Sequence, residues 1–308
     1  MMNQAKPTVS VAMAVYNNAA FLPDAVESIL SQSFADFEFL IIDDGSTDRS
    51  LLILQEYASK DSRIRLSSRE NRGIPKTRNE LLAQAQGEFI AVMDADDVAM
   101  PDRFLKQVDF LRQHPEVVCV GGSLDWIDKK GKLLGHCPMP ESDVEIQNLL
   151  IGGISMLHHP TTMIRRSALL AVGGYNENMV ASSDLDLWLR LGEVGKLANL
   201  PHPVLQYRLH SRSITQAKQQ QQAQDAFAAC QRAWERRAIQ GKFIRQPADH
   251  LNQFEFWIKY GWANFMEGRR DAARRCGIRA LGMKPTRLQA WKLLACSLIK
   301  PLPTTDTP

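Results

Sequence analysis

Hydrophobic and polar positions in the first hundred residues fall into alternating short apolar runs and helically spaced stretches. Thr8–Val15 (TVSVAMAV) is an apolar run that fits a buried parallel strand or a buried helix segment. Its shortness and the following Tyr16-Asn17-Asn18 favour the strand. Phe21–Gln32 then places Leu22, Ala25, Val26, Ile29 and Leu30 at helical spacing. Phe37–Asp43 (FEFLIID) reads as a second strand that ends in acids, and Asp44-Gly45-Ser46-Thr47-Asp48 as a turn leading into a helix over Leu51–Ala58. Ile64–Ser67 is a short strand, Pro75–Gln86 a helix with proline near its first turn, Glu88–Met93 a further apolar strand and Pro101–Gln113 a further helix. This alternation predicts an α/β fold: a doubly wound, mostly parallel sheet with helices on both faces. Such sheets bind ligands beyond the carboxyl ends of their strands. Tyr16-Asn17, Asp43-Asp44 and Asp94 to Asp97 all follow strands.

The middle of the chain is less regular. Val117–Ile127 and Thr161–Ile164 read as strands, Lys129-Lys130-Gly131 as a hairpin turn, and a short helix starts at Ser167. Asp184–Leu191 is helical and Val204–Tyr207 is a late strand. The Gln-rich stretch Thr215–Gln224 reads as a junction or a helix start. Beyond it the pattern is all helical, with Phe254–Met266 and Arg270–Leu281 joined at Glu267-Gly268-Arg269, then Pro285 and a helix from Arg287 to Ile299. A helix pair closed by proline fits a tetratricopeptide unit or an ordinary helical appendage. The expected division is an α/β part over 1–215 and an all-helical part over 216–308.

Charge separates the same two parts. The 308 residues carry a net +3. Residues 1–216 hold 21 basic and 27 acidic side chains, a balance of −6, whereas 217–308 hold 16 and 7, a balance of +9. Composition is that of a globular protein, with 44% hydrophobic and 23% charged residues, which excludes disordered and collagen-like chains. Five cysteines without a C-x-x-C pair fit a reducing compartment. No apolar h-region or membrane-length run is visible, so a cytoplasmic location is expected.

Three acidic segments carry the candidate chemistry. Asp94-Ala95-Asp96-Asp97 gathers carboxylates that repel one another unless a positive group offsets them, and hard oxygen ligands suit Mg²⁺ or Mn²⁺. The same segment also fits a solvated turn ahead of the helix from Pro101. Asp43-Asp44-Gly45-Ser46 is equally a plain turn and helix start. In Ser182-Ser183-Asp184-Leu185-Asp186, Asp184 is either a functional carboxylate or the N-cap of the helix it opens.

Taken in order, these segments resemble family 2 glycosyltransferases of the GT-A fold. The resemblance runs through Val9–Asn17, through Gln32-Ser33-Phe34 to Asp48, and through Asn71-Arg72-Gly73 with Arg78-Asn79. It continues in Asp94-Ala95-Asp96-Asp97 with Pro101-Asp102-Arg103, in Gly173-Gly174-Tyr175, in Ser183–Arg190 and in Tyr207-Arg208-Leu209-His210 with Ser213. It covers about residues 8–215. The resemblance implies that Tyr16 and Asp44 line a nucleobase pocket with Asn17 and Asp43 beside them. Arg78 would lie near the base or diphosphate, and Asp94 near the ribose. A metal, Mn²⁺ or Mg²⁺, would sit on Asp96, with Asp97 and His210 as further contacts. Arg208 would close over the diphosphate and Asp184 would be the general base. One departure is Ser183, where the family often has glutamate.

The implied activity is inverting transfer of a sugar from a nucleotide diphosphate sugar, UDP-linked by resemblance, to an acceptor hydroxyl. Cell-surface polysaccharide or lipopolysaccharide assembly, on a glycan or lipid-linked acceptor, fits that resemblance. Another nucleotide-handling transferase is disfavoured because Tyr16-Asn17-Asn18-Ala19-Ala20 lacks the glycine of a phosphate loop and no G-x-x-x-x-G-K-[ST] occurs. A non-catalytic scaffold built on the helical tail is a second alternative. Nucleic acid is not an expected partner, since the body is acidic and no binding motif is present. The basic tail, with Arg269, Arg270, Arg274, Arg275 and Arg279 near Trp291, Leu294 and Leu298, fits either a peripheral contact with the inner face of a membrane or a solvated helical face.

Overall fold

The structure, a computed structural model, describes residues 6–179, 181–210, 219–241, 243 and 253–299. It is an α/β protein whose first half follows the predicted alternation: β1 (Val9–Val15), α1 (Leu22–Leu30), β2 (Phe37–Asp43), α2 (Ser50–Lys60), β3 (Ile64–Ser68), α3 (Ile74–Gln84), β4 (Phe89–Asp94), the short β5 (Val98–Ala99) and α4 (Arg103–Gln113). Then come β6 (Val117–Asp128), β7 (Leu133–Cys137), α5 (Asp143–Ile151), a 3₁₀ turn (His159–Thr161), β8 (Met163–Arg165), α6 (Arg166–Ala171), α7 (Ser183–Leu191) and β9 (Lys196–Leu209). The helices α8 (Gln219–Arg236), α9 (Gln253–Met266), α10 (Arg270–Met283) and α11 (Leu288–Ile299) follow.

The strands form a nine-stranded sheet in the order β3-β2-β1-β4-β8-β6-β9-β5, with β7 on β6. β3, β2, β1 and β4 are mutually parallel, while β8 runs antiparallel to β4 and to β6, and β5 antiparallel to β9. The parallel part is therefore the amino-terminal half, and the mixed part begins where the sequence pattern becomes irregular. Every residue of β2 is buried, as a strand covered on both faces requires. Register sets the site: Val15 pairs with Asp43, and Ala14 with Asp94. The carboxyl ends of β1, β2 and β4 are thereby level, and their polar ends emerge along one edge of the sheet.

The chain divides into two compact units. The first comprises the described residues within Met1–Leu124, Pro138–Gln206 and Ser211–Gln246; the second comprises those within Asp125–Cys137, Tyr207–His210 and Pro247–Pro308. These units do not coincide with a cut at 215. Ala226, Ala229, Cys230 and Ala233 of α8 join the core of the first unit with Leu185, Trp188 and Leu189 of α7. In the second unit, α9, α10 and α11 close on the β7 strand around Leu134, Trp257, Phe265, Cys276 and Leu293. The apolar spacing of α8 is masked in the sequence by its glutamines and alanines, and α5 has no signal strong enough to separate it from its surroundings.

Candidate active site

The β1 and β2 ends are tied together by their loops. Asn17 adopts φ 53°, and its side-chain carbonyl accepts from the backbone N–H groups of Thr47 at 2.8 Å and Asp48 at 3.3 Å. Its own N–H donates to the Ser46 hydroxyl. Asn17 therefore ties the end of β1 to the loop after β2, while Tyr16 beside it leaves 49% of its surface open. Asp43 is buried and accepts from Ser68 Oγ at 2.8 Å. Asp44 is buried too; it pairs with Arg69 and accepts from the N–H groups of Arg72 and Gly73 at 2.8 and 3.0 Å. Gly45, at φ +76°, is required there, because a Cβ would lie 2.7 Å from the Asn71 nitrogen.

The β4 end concentrates negative charge. Asp94 Oδ1 lies 3.4 Å from Nη2 of Arg78 on α3. Asp94 leaves 36% of its side-chain surface open, yet the surrounding protein removes enough water to matter. That burial, reinforced by Asp96 and Asp184 and opposed by Arg78, pushes its carboxyl up to about 6. Asp96 is half-buried and Asp97 fully buried. Asp97 lies within the field of Arg103, the arginine of the Pro101-Asp102-Arg103 segment. Arg103 is wholly enclosed and donates to the carbonyls of Val92 at 2.9 Å and Thr162 at 3.0 Å, bracing the β4 end against the segment before β8. Burial lowers its guanidinium to about 9, with Asp97 and Asp94 opposing, so it is still a cation at neutral pH.

The opposite wall is formed by α7 and the Gly173-Gly174-Tyr175 turn. Asp184 is in the first turn of α7, not at its N-cap; the N-cap is Ser182, which makes no side-chain capping bond. Asp184 Oδ1 accepts from the Leu185 N–H at 2.9 Å, and burial raises its carboxyl above the ordinary carboxylate range, with that bond and Arg78 opposing. The Arg78 guanidinium lies 5.5 Å from the Tyr175 ring centroid. Arg78 thus meets Asp94 and Tyr175 together, and its charge reaches Asp184.

Two further residues tie these walls and were given no role from the sequence. Asn79 donates to the Tyr175 carbonyl at 2.9 Å and accepts from the Tyr175 N–H at 2.8 Å. Buried His159 places Nε2 3.0 Å from the Tyr175 hydroxyl and Nδ1 4.0 Å from Asp94 Oδ1. Burial, with Arg78 and Arg103 adding, keeps its imidazole neutral, well below the usual range. The sequence signal for Asn79 is its place after Arg78. His159 has none beyond the His-Pro pair, because its partners are 65 and 16 residues away.

Arg208 and His210 belong to the second unit. Arg208 is buried, with Nη1 3.5 and 3.4 Å from the carbonyls of Asp128 and Lys129 at the β6–β7 turn. His210 follows the end of β9.

The carboxylates at the β4 end are hard oxygen donors of the kind Mg²⁺ and Mn²⁺ prefer. Among the described residues no three His, Cys, Asp or Glu side chains converge as a self-sufficient metal cage. An ion that completes its shell with phosphate oxygens and water needs only one or two carboxylates. Burial first, and Asp96 and Asp184 after it, disfavour charge on Asp94; a cation would offset both, so the residues fit one.

A parallel half-sheet whose acidic strand ends lie near a half-buried carboxylate on a helix, continued by a mixed half-sheet, is the arrangement of a GT-A glycosyltransferase. The model of glycosyl transferase family 2 matches residues 10–173, and the chain belongs to that family. Among its relatives, the putative glycosyltransferase EpsE of Bacillus subtilis is 36% identical over 197 residues, covering 61% of this chain and 68% of EpsE. The putative teichuronic acid biosynthesis glycosyltransferase TuaG of Bacillus subtilis is 33% identical over 218 residues, covering 69% and 83%. Chondroitin synthase of Escherichia coli is 30% identical over 258 residues; they cover 83% of this chain but only 36% of that enzyme. Solved structures share the fold at low identity. Staphylococcus aureus TarS residues 1–349 in complex with UDP-GlcNAc give a TM-score of 0.58 at 17% identity, over 94% of this chain and 90% of that one. The mannosyltransferase PcManGT of Pyrobaculum calidifontis, in complex with GDP-Man and Mn²⁺, gives 0.57 at 19%, over 97% and 82%.

Proposed function

We propose that this glycosyltransferase moves a sugar from a UDP-linked donor to an acceptor hydroxyl with inversion, in the assembly of a bacterial surface polysaccharide. The carrying observation is the convergence of Asp94, Arg78 and half-buried Asp184: Arg78 contacts Asp94 and its charge reaches Asp184, whose own charge acts on Asp94. Tyr16 offers an exposed ring for the nucleobase, and Arg78 a cation for the ribose-diphosphate side. Asp44 supports this end indirectly, since its carboxylate is engaged by Arg69, Arg72 and Gly73. Asp94 and Asp96 are the proposed holders of a divalent cation, which when bound neutralises charge on the departing diphosphate. Asp97 is less suited, because it is buried and lies within the field of Arg103.

Asp184 takes the acceptor proton as the acceptor oxygen bonds to the anomeric carbon. The bond from that carbon to the diphosphate oxygen breaks, and the nucleoside diphosphate leaves with the electron pair. A carboxyl raised by burial is a stronger base than an exposed one, which suits this role. A panel of nucleotide sugars, assayed with Mn²⁺ for release of free nucleoside diphosphate, tests the reading. Release of UDP from one donor supports it; pyrophosphate as product replaces it with nucleotidyl transfer.

The second unit is the proposed membrane contact. No described helix is long and apolar enough to cross a bilayer. From Ala272 to Ile299 the chain has six basic residues and no acidic one. Leu288, Trp291 and Leu298 on α11 are each more than half exposed. An apolar stripe flanked by Arg287 and Lys292 matches an anionic lipid surface.

A further inference from the structure

We infer that α8, which lies outside the family match, is a positioning element for the catalytic carboxylate, and that Asp225 is its principal contact. The inference rests on the proposed role of Asp184. Asp225 is a buried carboxylate whose Oδ2 accepts the Ala181 N–H at 2.9 Å, three residues before Asp184. Its other oxygen takes the Gln221 amide at 2.7 Å. One turn earlier in α8, the Gln222 carbonyl accepts the Ser182 hydroxyl at 3.0 Å, and Ser182 is the N-cap of α7. Burying a carboxylate is costly, and here its oxygens go to a loop backbone and a neighbouring amide.

The contact continues along α7. Arg232 donates to Asp186 at 3.2 Å and reaches the Met179 sulfur at 3.0 Å. Asp186 is buried and also pairs with Arg190, whose Nη1 donates to the Val172 and Gly174 carbonyls at 2.6 and 2.8 Å. Arg237 donates to the Leu189 carbonyl at 2.8 Å, and Arg236 pairs with Glu193 just beyond α7. Between these polar ties, the small residues Ala226, Ala229, Cys230 and Ala233 let α8 approach α7 closely. Ala181 and Ser182 precede α7 and belong to no sheet, and their contacts with α8 hold the start of the helix that carries Asp184. Asp184 must sit within hydrogen-bond reach of the acceptor hydroxyl, and a displacement of about 1 Å costs up to about a hundredfold in rate.

Asp225→Ala removes the acceptor for Ala181, whereas Asp225→Asn keeps an oxygen in its place. Transfer kinetics, UDP·Mn²⁺ affinity and thermal midpoint are measured on the full chain for both, alongside Asp184→Asn and the more exposed Arg232→Gln. Asp225→Ala should lower kcat about tenfold or more, and Arg232→Gln should lower it in the same direction, with UDP affinity within about twofold of wild type. Asp225→Asn should recover to within about threefold. Wild-type kcat in folded Asp225→Ala, or an Asp225→Asn as impaired as the alanine variant, overturns the inference. Should Asp225→Ala not fold, wild-type kcat in Arg232→Gln overturns it instead. The two readings separate through Asp184→Asn: an inactive Asp184→Asn beside a fully active Asp225→Ala removes only the role of α8, while an active Asp184→Asn removes the base itself.

Discussion

Nδ1 of His159 faces Oδ1 of Asp94 at 4.0 Å while Nε2 of the same ring meets the Tyr175 hydroxyl at 3.0 Å. Burial raises the Tyr175 phenol, so its hydroxyl stays protonated and shares one hydrogen bond with the neutral ring. One imidazole thus lies between the end of β4 and the Gly173-Gly174-Tyr175 turn. His159→Ala leaves the buried Tyr175 hydroxyl without this partner and should destabilise the protein by about 1–3 kcal/mol in urea denaturation. An unchanged midpoint would show that the link contributes nothing.

Asp184→Asn keeps the shape of the side chain and removes its basicity. Transfer should fall about a hundredfold to ten-thousandfold, with nucleotide affinity retained. Because burial raises the Asp184 carboxyl, the acid limb of the kcat profile should lie above the ordinary carboxylate range. A kcat that stays flat down to the ordinary range would contradict the base assignment.

Asp94 gives a second pH dependence. Its carboxyl rises from 3.8 to about 6 in the fold. In that window the free folded protein holds a proton that the unfolded chain has lost. Its contribution to stability therefore falls as pH rises from about 4 to about 6 and is level above. Cation binding has the opposite requirement, an ionised carboxylate. UDP·Mn²⁺ affinity should drop about tenfold for each pH unit below about 6, and Asp94→Asn should bind weakly at all pH with that dependence lost. Calorimetric titration across the window reads both; an acid-side drop retained in Asp94→Asn would assign it elsewhere.

Gly174 adopts φ +68°, and a Cβ there would stand 2.7 Å from Asn79 Oδ1, the atom that accepts the Tyr175 N–H. Gly174→Ala combines a left-handed backbone with a collision against the tie between α3 and the Tyr175 turn. A loss of about 1–2 kcal/mol is expected from the backbone alone. Thermal unfolding at wild-type midpoint would show that the turn relaxes without cost.

Sedimentation with vesicles tests the α11 face. Full-length chain should bind phosphatidylserine-containing vesicles more than neutral ones, and a Leu288→Ser, Trp291→Ser, Leu298→Ser variant should lose that binding. Equal binding by the variant would remove α11 as the contact.

The strands β1, β2 and β4 were legible because each is a short apolar run stopped by polar residues, and a parallel strand buried on both faces has no other pattern. Their carboxyl-end residues Tyr16, Asp43, Asp44 and Asp94 could be picked out for the same reason. The residues that join the walls could not. His159 is polar and buried, so it breaks the apolar code, and Asp225 comes directly after the Gln-rich stretch Thr215–Gln224, which reads as a junction or a helix start. Asp184 was found as a residue, but its local position was ambiguous; in the fold Ser182 takes the N-cap and Asp184 the first turn.

Local pattern by itself determined the alternation of strands and helices, the parallel half-sheet and the acidic strand ends, since these depend on burial periodicity over a few residues. Tertiary structure decided which polar groups meet. It drew Asp44 into the Arg69–Gly73 loop, buried Asp97 within the field of Arg103, and set α8 against α7 rather than with the basic helices. Those outcomes depend on contacts between residues tens of positions apart, where a buried charge must find its partner across the fold, and no local periodicity encodes that choice.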